Sequence, residues 1–145
     1  MLKGMDTWSA ISDYAIVGDC RSAALISKDG SSDWLCLPRF DSPSIFGALL
    51  DIERGGRFAI RPRQAFTSTR RYVGQSNVLE TTFTTETGRL RLTDLMPVAS
   101  EGQKANELFP DHELLRKLEC DEGSVDVEIV FEPRPYLADK YGAPN

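Results

Sequence analysis

The chain has 145 residues, 41% hydrophobic and 27% charged, the balance of one globular domain and not of a disordered or collagen-like chain. Its net charge of −5 and scattered arginines, with Arg70-Arg71 the densest pair, supply no basic patch for nucleic acid or an anionic membrane. No apolar run approaches the ~20 residues that cross a bilayer, Asp6, Ser12 and Asp13 interrupt any signal-like core, and three cysteines without a C-x-x-C pair fit a reducing compartment, so a cytoplasmic protein is expected.

In chain order, Tyr14 to Val17, Ala23 to Ser27 and Ser32 to Leu37 are short apolar runs, the last two joined across Asp29-Gly30, a hairpin turn signal. A helix of two to three turns is predicted near residues 43–51. Asp41 or Ser42 would cap it, Pro43 suits its first turn, Ile45, Phe46, Leu49 and Leu50 form its apolar face, and Gly55-Gly56 lies beyond its end. Phe58 to Arg61 alternates up to Pro62, and Phe66 to Val73 is a weaker polar strand. Asn77 to Thr85 and the alternating Leu90 and Leu92 make a hairpin around Glu86-Thr87-Gly88. Residues 98–110 read as a loop. In 111–119 helical spacing of Leu114, Leu115 and Leu118 competes with a strand face Leu114, Leu118, Cys120 that Arg116 breaks. Val125, Val127, Ile129 and Phe131 alternate with polar residues as a half-buried strand, and 133–145 is an irregular tail. Many short antiparallel strands with one inserted helix predict an all-β sandwich.

Chemistry is constrained by what is scarce. The single histidine, His112, stands between Asp111 and Glu113 and is a poor base for a nucleophilic triad. The cysteines and His112 lack the paired spacings of a zinc cage, and neither G-x-G-x-x-G nor a P-loop is present. No metal and no cofactor is expected, and no catalytic residue is assigned.

The segment 18–46 is denser in charge and aromatic groups than the rest. It carries Gly18-Asp19-Cys20-Arg21, Ala23-Ala24-Leu25, Asp29-Gly30-Ser31 and Asp33-Trp34-Leu35-Cys36-Leu37-Pro38-Arg39-Phe40-Asp41-Ser42-Pro43. Later come Gly55-Gly56, Asn77-Val78-Leu79-Glu80-Thr81, Thr93-Asp94, Met96-Pro97, Glu113 to Arg116 and Pro133-Arg134. This ordered series, over about residues 11–134, resembles the amino-terminal domain of bacterial glycoside hydrolase family 15, the glucoamylase and trehalase-like enzymes. Ser32, where an apolar residue is more usual, and Pro135, where an aromatic is, depart from the pattern.

The resemblance implies a supersandwich-like β-domain preceding a helical (α/α)6 barrel. In that family two barrel glutamates perform inverting hydrolysis of α-glucosidic bonds, at the ~6.5–9.5 Å separation that admits water. Residues 1–145 are then one N-terminal domain, allowing an incomplete sandwich, with the barrel absent and the chain alone inactive. The resemblance also turns 113–120 toward a strand. The expected role is support or docking of the barrel, with α-glucan or trehalose as a candidate ligand. The alternatives are a freestanding carbohydrate-binding module and an oligomerisation module using exposed strands.

Within this frame Trp34 is a sugar-stacking platform or, the weightier reading, a core indole. Arg39 and Asp41, flanking Phe40, serve first capping and local pairing, then domain docking, then glucan contact. Asp19 and Arg21 are expected to pair with each other or to reach Asp33. Asp94 breaks an apolar face, as a bulge, a strand end or a buried hydrogen-bonded carboxylate.

Overall fold

The computed structural model describes residues 8–135; the tail beyond Pro135 lies outside the described residues. A 3-10 turn at Ile11–Asp13 leads into β1 (Tyr14–Gly18), β2 (Ala23–Ser27), β3 (Ser31–Cys36), β4 (Ser44–Phe46), β5 (Phe58–Pro62), β6 (Phe66–Tyr72), β7 (Leu79–Thr85) and β8 (Gly88–Leu95). A short helix, α1 (Glu101–Asn106), then precedes β9 (Leu115–Gly123) and β10 (Val127–Phe131). The strands form two antiparallel sheets, one ordered β1-β2-β3-β5-β10 with β4 also on β3, the other β6-β7-β8-β9. The expected all-β sandwich is what the chain forms.

Pairing register explains which side chains meet. Val17, Ala24 and Leu35 are successive partners across β1, β2 and β3, so they share one face. That face is buried against Phe46, Leu79 and Met96. A second cluster sets Ile60 of β5 against Phe83, Leu90 and Leu92 of the other sheet. Each large apolar side chain so buried contributes roughly 1.5–3 kcal/mol before entropy is counted. The Asp29-Gly30 turn has Gly30 at φ +83, and a Cβ there would stand 2.2 Å from the Ile60 carbonyl oxygen, so both turn geometry and sheet proximity demand glycine.

Arg116 and Tyr72 are among the side chains that tie the sheets together. Arg116 on β9 is 1% exposed and pairs with fully buried Asp94 on β8, Nε to Oδ1 at 2.6 Å. It also donates to the carbonyls of Gly30, at 2.9 Å, and Phe58 in the opposite sheet, and lies over the Phe58 ring. At the other end, the Tyr72 hydroxyl at the end of β6 accepts from Ile16 N at 3.1 Å and donates to Ile16 O at 2.8 Å, occupying the outer edge of β1.

The helix predicted near 43–51 does not form. Residues 44–46 are β4, paired to β3 through Leu35 and Cys36, because the amides that would feed a helix have partners elsewhere. Gly47 N donates to Gly55 O at 2.7 Å, Ala48 N to Gly56 O at 3.0 Å and Leu49 N to Asp33 O at 2.9 Å. Residues 101–106, read as loop, are instead helical. Ser100 and Gln103 form a capping box, which supports a helix without any buried face.

Candidate functional site

Loops at one end of the sandwich gather most of the sequence-predicted polar residues. β1 stops at Gly18, and Asp19 turns the chain by accepting the amides of Arg21 at 2.8 Å and Ser22 at 2.7 Å on Oδ1. Asp19 and Arg21 therefore do not share a strand face, nor does either meet Asp33. The Arg21 guanidinium reaches across to Glu101 at 2.8 Å and Asp111 at 3.4 Å. Lys104 also holds Asp111, at 3.1 Å, and that hydrogen bond keeps the Asp111 carboxyl below its ordinary range.

Beside this network runs the Pro38 to Ser42 loop, whose first peptide, Leu37-Pro38, is cis. Arg39 and Asp41 pair through two contacts of 3.0 Å, and both side chains are more than 70% exposed. With no helix at Pro43, Asp41 has nothing to cap, and the pair is a loop clamp worth little in water. Phe40 is 61% exposed. Cys20, Arg21, Pro38, Arg39, Phe40 and His112 surround an open cleft of about 450 Å³. Cys20 and His112 both adopt positive φ, 68° and 59°, a conformation non-glycine residues seldom take.

Asp33 and Asp94 lie inside. Asp33 accepts from the Tyr14 hydroxyl at 2.7 Å and from Ser31 Oγ. Burial, then the Asp33 carboxylate, pushes the Tyr14 phenol above its ordinary range. Burial likewise raises the Asp94 carboxyl, against the opposing pull of Arg116. Both carboxylates are engaged structurally, far from an open acid–base pair.

Trp34 occupies neither extreme. It is half-buried, and register puts it in a row with Leu25 and Ile16, on the face of the first sheet opposite the core. Ile16 is 56% exposed there. Next to this row, Ser9, Ile11, Tyr14, Leu49 and Leu50 complete a largely apolar groove of about 420 Å³, with Ile11 and Leu50 strongly exposed. Sequence reasoning missed this surface. Its signal was available: Tyr14 to Val17 and Ala23 to Ile26 are continuously apolar without alternation, the pattern of strands covered on both faces.

A family model described as trehalase-like, N-terminal, matches residues 2–141. A trehalase of Mycolicibacterium smegmatis is 38% identical over 135 residues, covering 85% of this chain and 20% of that protein. A trehalase of Mycobacterium tuberculosis is 37% identical over 134 residues, with the same coverage. A trehalase of Thermoplasma volcanium is 36% identical over 136 residues, covering 89% and 20%. The chain thus spans about a fifth of the length of these curated relatives. No solved structure matches it significantly.

Proposed function

The chain belongs to the trehalase-like, N-terminal family, and from that premise we propose that it is a noncatalytic module of a larger glycoside hydrolase cleaving trehalose or a related α-glucoside. The observation that carries this reading is the outward apolar face of the first sheet. Ile16, Leu25 and Trp34, continued by Ile11 and Leu50, form a surface suited to cover by another folded unit. About four-fifths of these relatives' length lies outside the part this chain matches, enough chain for such a unit. A family 15 helical barrel, glucoamylase- or trehalase-like, is our choice for it, with the Arg39-Phe40-Asp41 loop at the rim of the contact. The unpaired cysteines Cys20, Cys36 and Cys120 support assignment to the cytoplasm. No helix among the described residues is long and apolar enough to cross a membrane.

The engagement of Asp33 with Tyr14 and of Asp94 with Arg116 supports a structural use of these carboxylates. The test is to assay the purified chain on trehalose, maltose and starch, alone and added to a Mycolicibacterium smegmatis trehalase trimmed of its matching fifth. The expected result is no glucose from the chain alone and restored activity in the mixture. Glucose release by the chain alone, lost on replacing Asp33, Asp41 or Asp94, overturns the module reading. Restoration that survives Ile16→Asp would show that the outer sheet face is not the docking surface.

A further inference from the structure

Beside the loop cleft two buried polar atoms face each other without a hydrogen-bond partner among the described residues. They are Asp19 Oδ2 and His112 Nδ1, 3.9 Å apart, beyond hydrogen-bond reach. The Asp19 side chain is only 3% exposed, and its other oxygen is taken by the amides of Arg21 and Ser22. One ligand atom each from Asp19, Asp111 and His112 can be chosen so that all lie within 4.8 Å of one another. The two neighbouring cations do not serve Asp19, since Arg21 and Lys104 are directed at Asp111 and Glu101. A carboxylate so enclosed, with a lone-pair oxygen unused, is costly unless a cation shares it.

We propose that Asp19, Asp111 and His112 form a binding site for a divalent first-row ion, Zn2+ or Mn2+, which ties the β1–β2 turn to the segment leading into β9. One imidazole nitrogen and two carboxylates suit these ions better than Mg2+ or Ca2+, which take oxygen ligands and water. Asp111 Oδ2 lies 3.6 Å from His112 Nε2 and also accepts from Lys104, a bond of the kind that outer partners make to a metal-bound carboxylate. The positive charge of Lys104 and Arg21 moderates the affinity. The cleft beside His112 gives the ion and its waters access.

The chain holds one histidine, so its imidazole nitrogens give a single, unambiguous set of magnetic resonance signals. Untagged, metal-stripped chain is titrated with ZnCl2, MnCl2 and MgCl2. Zn2+ is expected to raise the melting temperature and shift the imidazole signals with a stoichiometry of one. Mn2+ should broaden amide signals chiefly at residues 19–22 and 111–113, and Mg2+ should act at least about tenfold more weakly. H112Q, in a side chain one-third exposed, should fold and lose these responses, as should D19N. H112Q and the titration of the parent decide on their own, whether or not D19N folds. Imidazole signals unmoved by Zn2+ and Mn2+, or H112Q binding as tightly as the parent, overturn the proposal. So does an imidazole that responds only to protons, which makes the cluster an ion pair and not a metal site.

Discussion

Replacing Arg116 by methionine removes the charge that holds Asp94 while keeping a long apolar stem over the Phe58 ring. Asp94 is fully buried and Arg116 nearly so, and the guanidinium also donates to the Gly30 and Phe58 carbonyls of the other sheet. Breaking a buried pair from one side costs about 3–5 kcal/mol, against a total of about 5–15 kcal/mol for an ordinary domain. At a urea dependence near 2 kcal/mol per molar, a 4 kcal/mol loss moves the unfolding midpoint down by about 2 M. The pH dependence has a definite sign. Burial already raises the Asp94 carboxyl despite Arg116, and losing Arg116 raises it further above the unfolded value of about 3.9. Below that value both states are protonated and the anion's penalty vanishes; above the folded value the penalty is complete. The cost of R116M should therefore be largest near neutrality and shrink toward about pH 4. The double variant Asp94→Leu, Arg116→Met should regain most of the loss, because no unpaired charge remains inside. Urea unfolding followed by circular dichroism at several pH values checks this. A midpoint shift under about 0.5 M at pH 7, or a cost that does not change with pH, would refute the staple.

Tyr14→Phe should cost about 1.5–3 kcal/mol, since the Asp33 carboxylate loses its 2.7 Å phenol donor; chemical denaturation measures it, and a neutral result would mean that Ser31 suffices. Thr81→Val should be neutral or stabilising by about 1 kcal/mol, because Thr81 is fully buried and its hydroxyl has no partner among the described residues; a clear loss of melting temperature would reveal a hidden partner, such as a bound water. Arg39→Ala should change the stability of the chain by less than about 1 kcal/mol, its pair with Asp41 being exposed. The same change in a full-length enzyme should weaken assembly or activity, and unchanged activity and melting there would remove the loop from the interface.

Strand positions were legible where one face is wet: Leu90 and Leu92 alternate with Arg89 and Arg91, and β8 follows that alternation. The harder lesson lies in two charged residues that each interrupted an apolar face. Asp94 and Arg116 are register partners on adjacent strands, so each is the other's compensation, a fact hidden from any reading of one strand at a time. The 43–51 segment misled because Ile45, Phe46, Leu49 and Leu50 fit helical spacing. Long-range amide acceptors at Asp33, Gly55 and Gly56 decided its conformation, and no local pattern encodes them. The α1 capping box of Ser100 and Gln103 went unread, because residues 98–110 lack a sustained apolar period and so resemble a loop. At the loop site, Asp19 and His112 stand far apart in sequence. Only the turn after β1 and the left-handed backbone at His112 bring them together.

The Tyr72 hydroxyl on the margin of β1 bears on how copies of this domain meet. A bare strand margin is a template on which another chain can grow the sheet. Here the phenol fills both the donor and the acceptor of Ile16, so an incoming strand would have to evict it before making its first pair of bonds. Association through backbone zippering is thereby steered toward the opposite margin, where β10 displays Ile129 and Phe131 to solvent. The outer face around Ile16 and Trp34 is left to contacts between side chains, the kind that can dock a folded neighbour without opening the sheet.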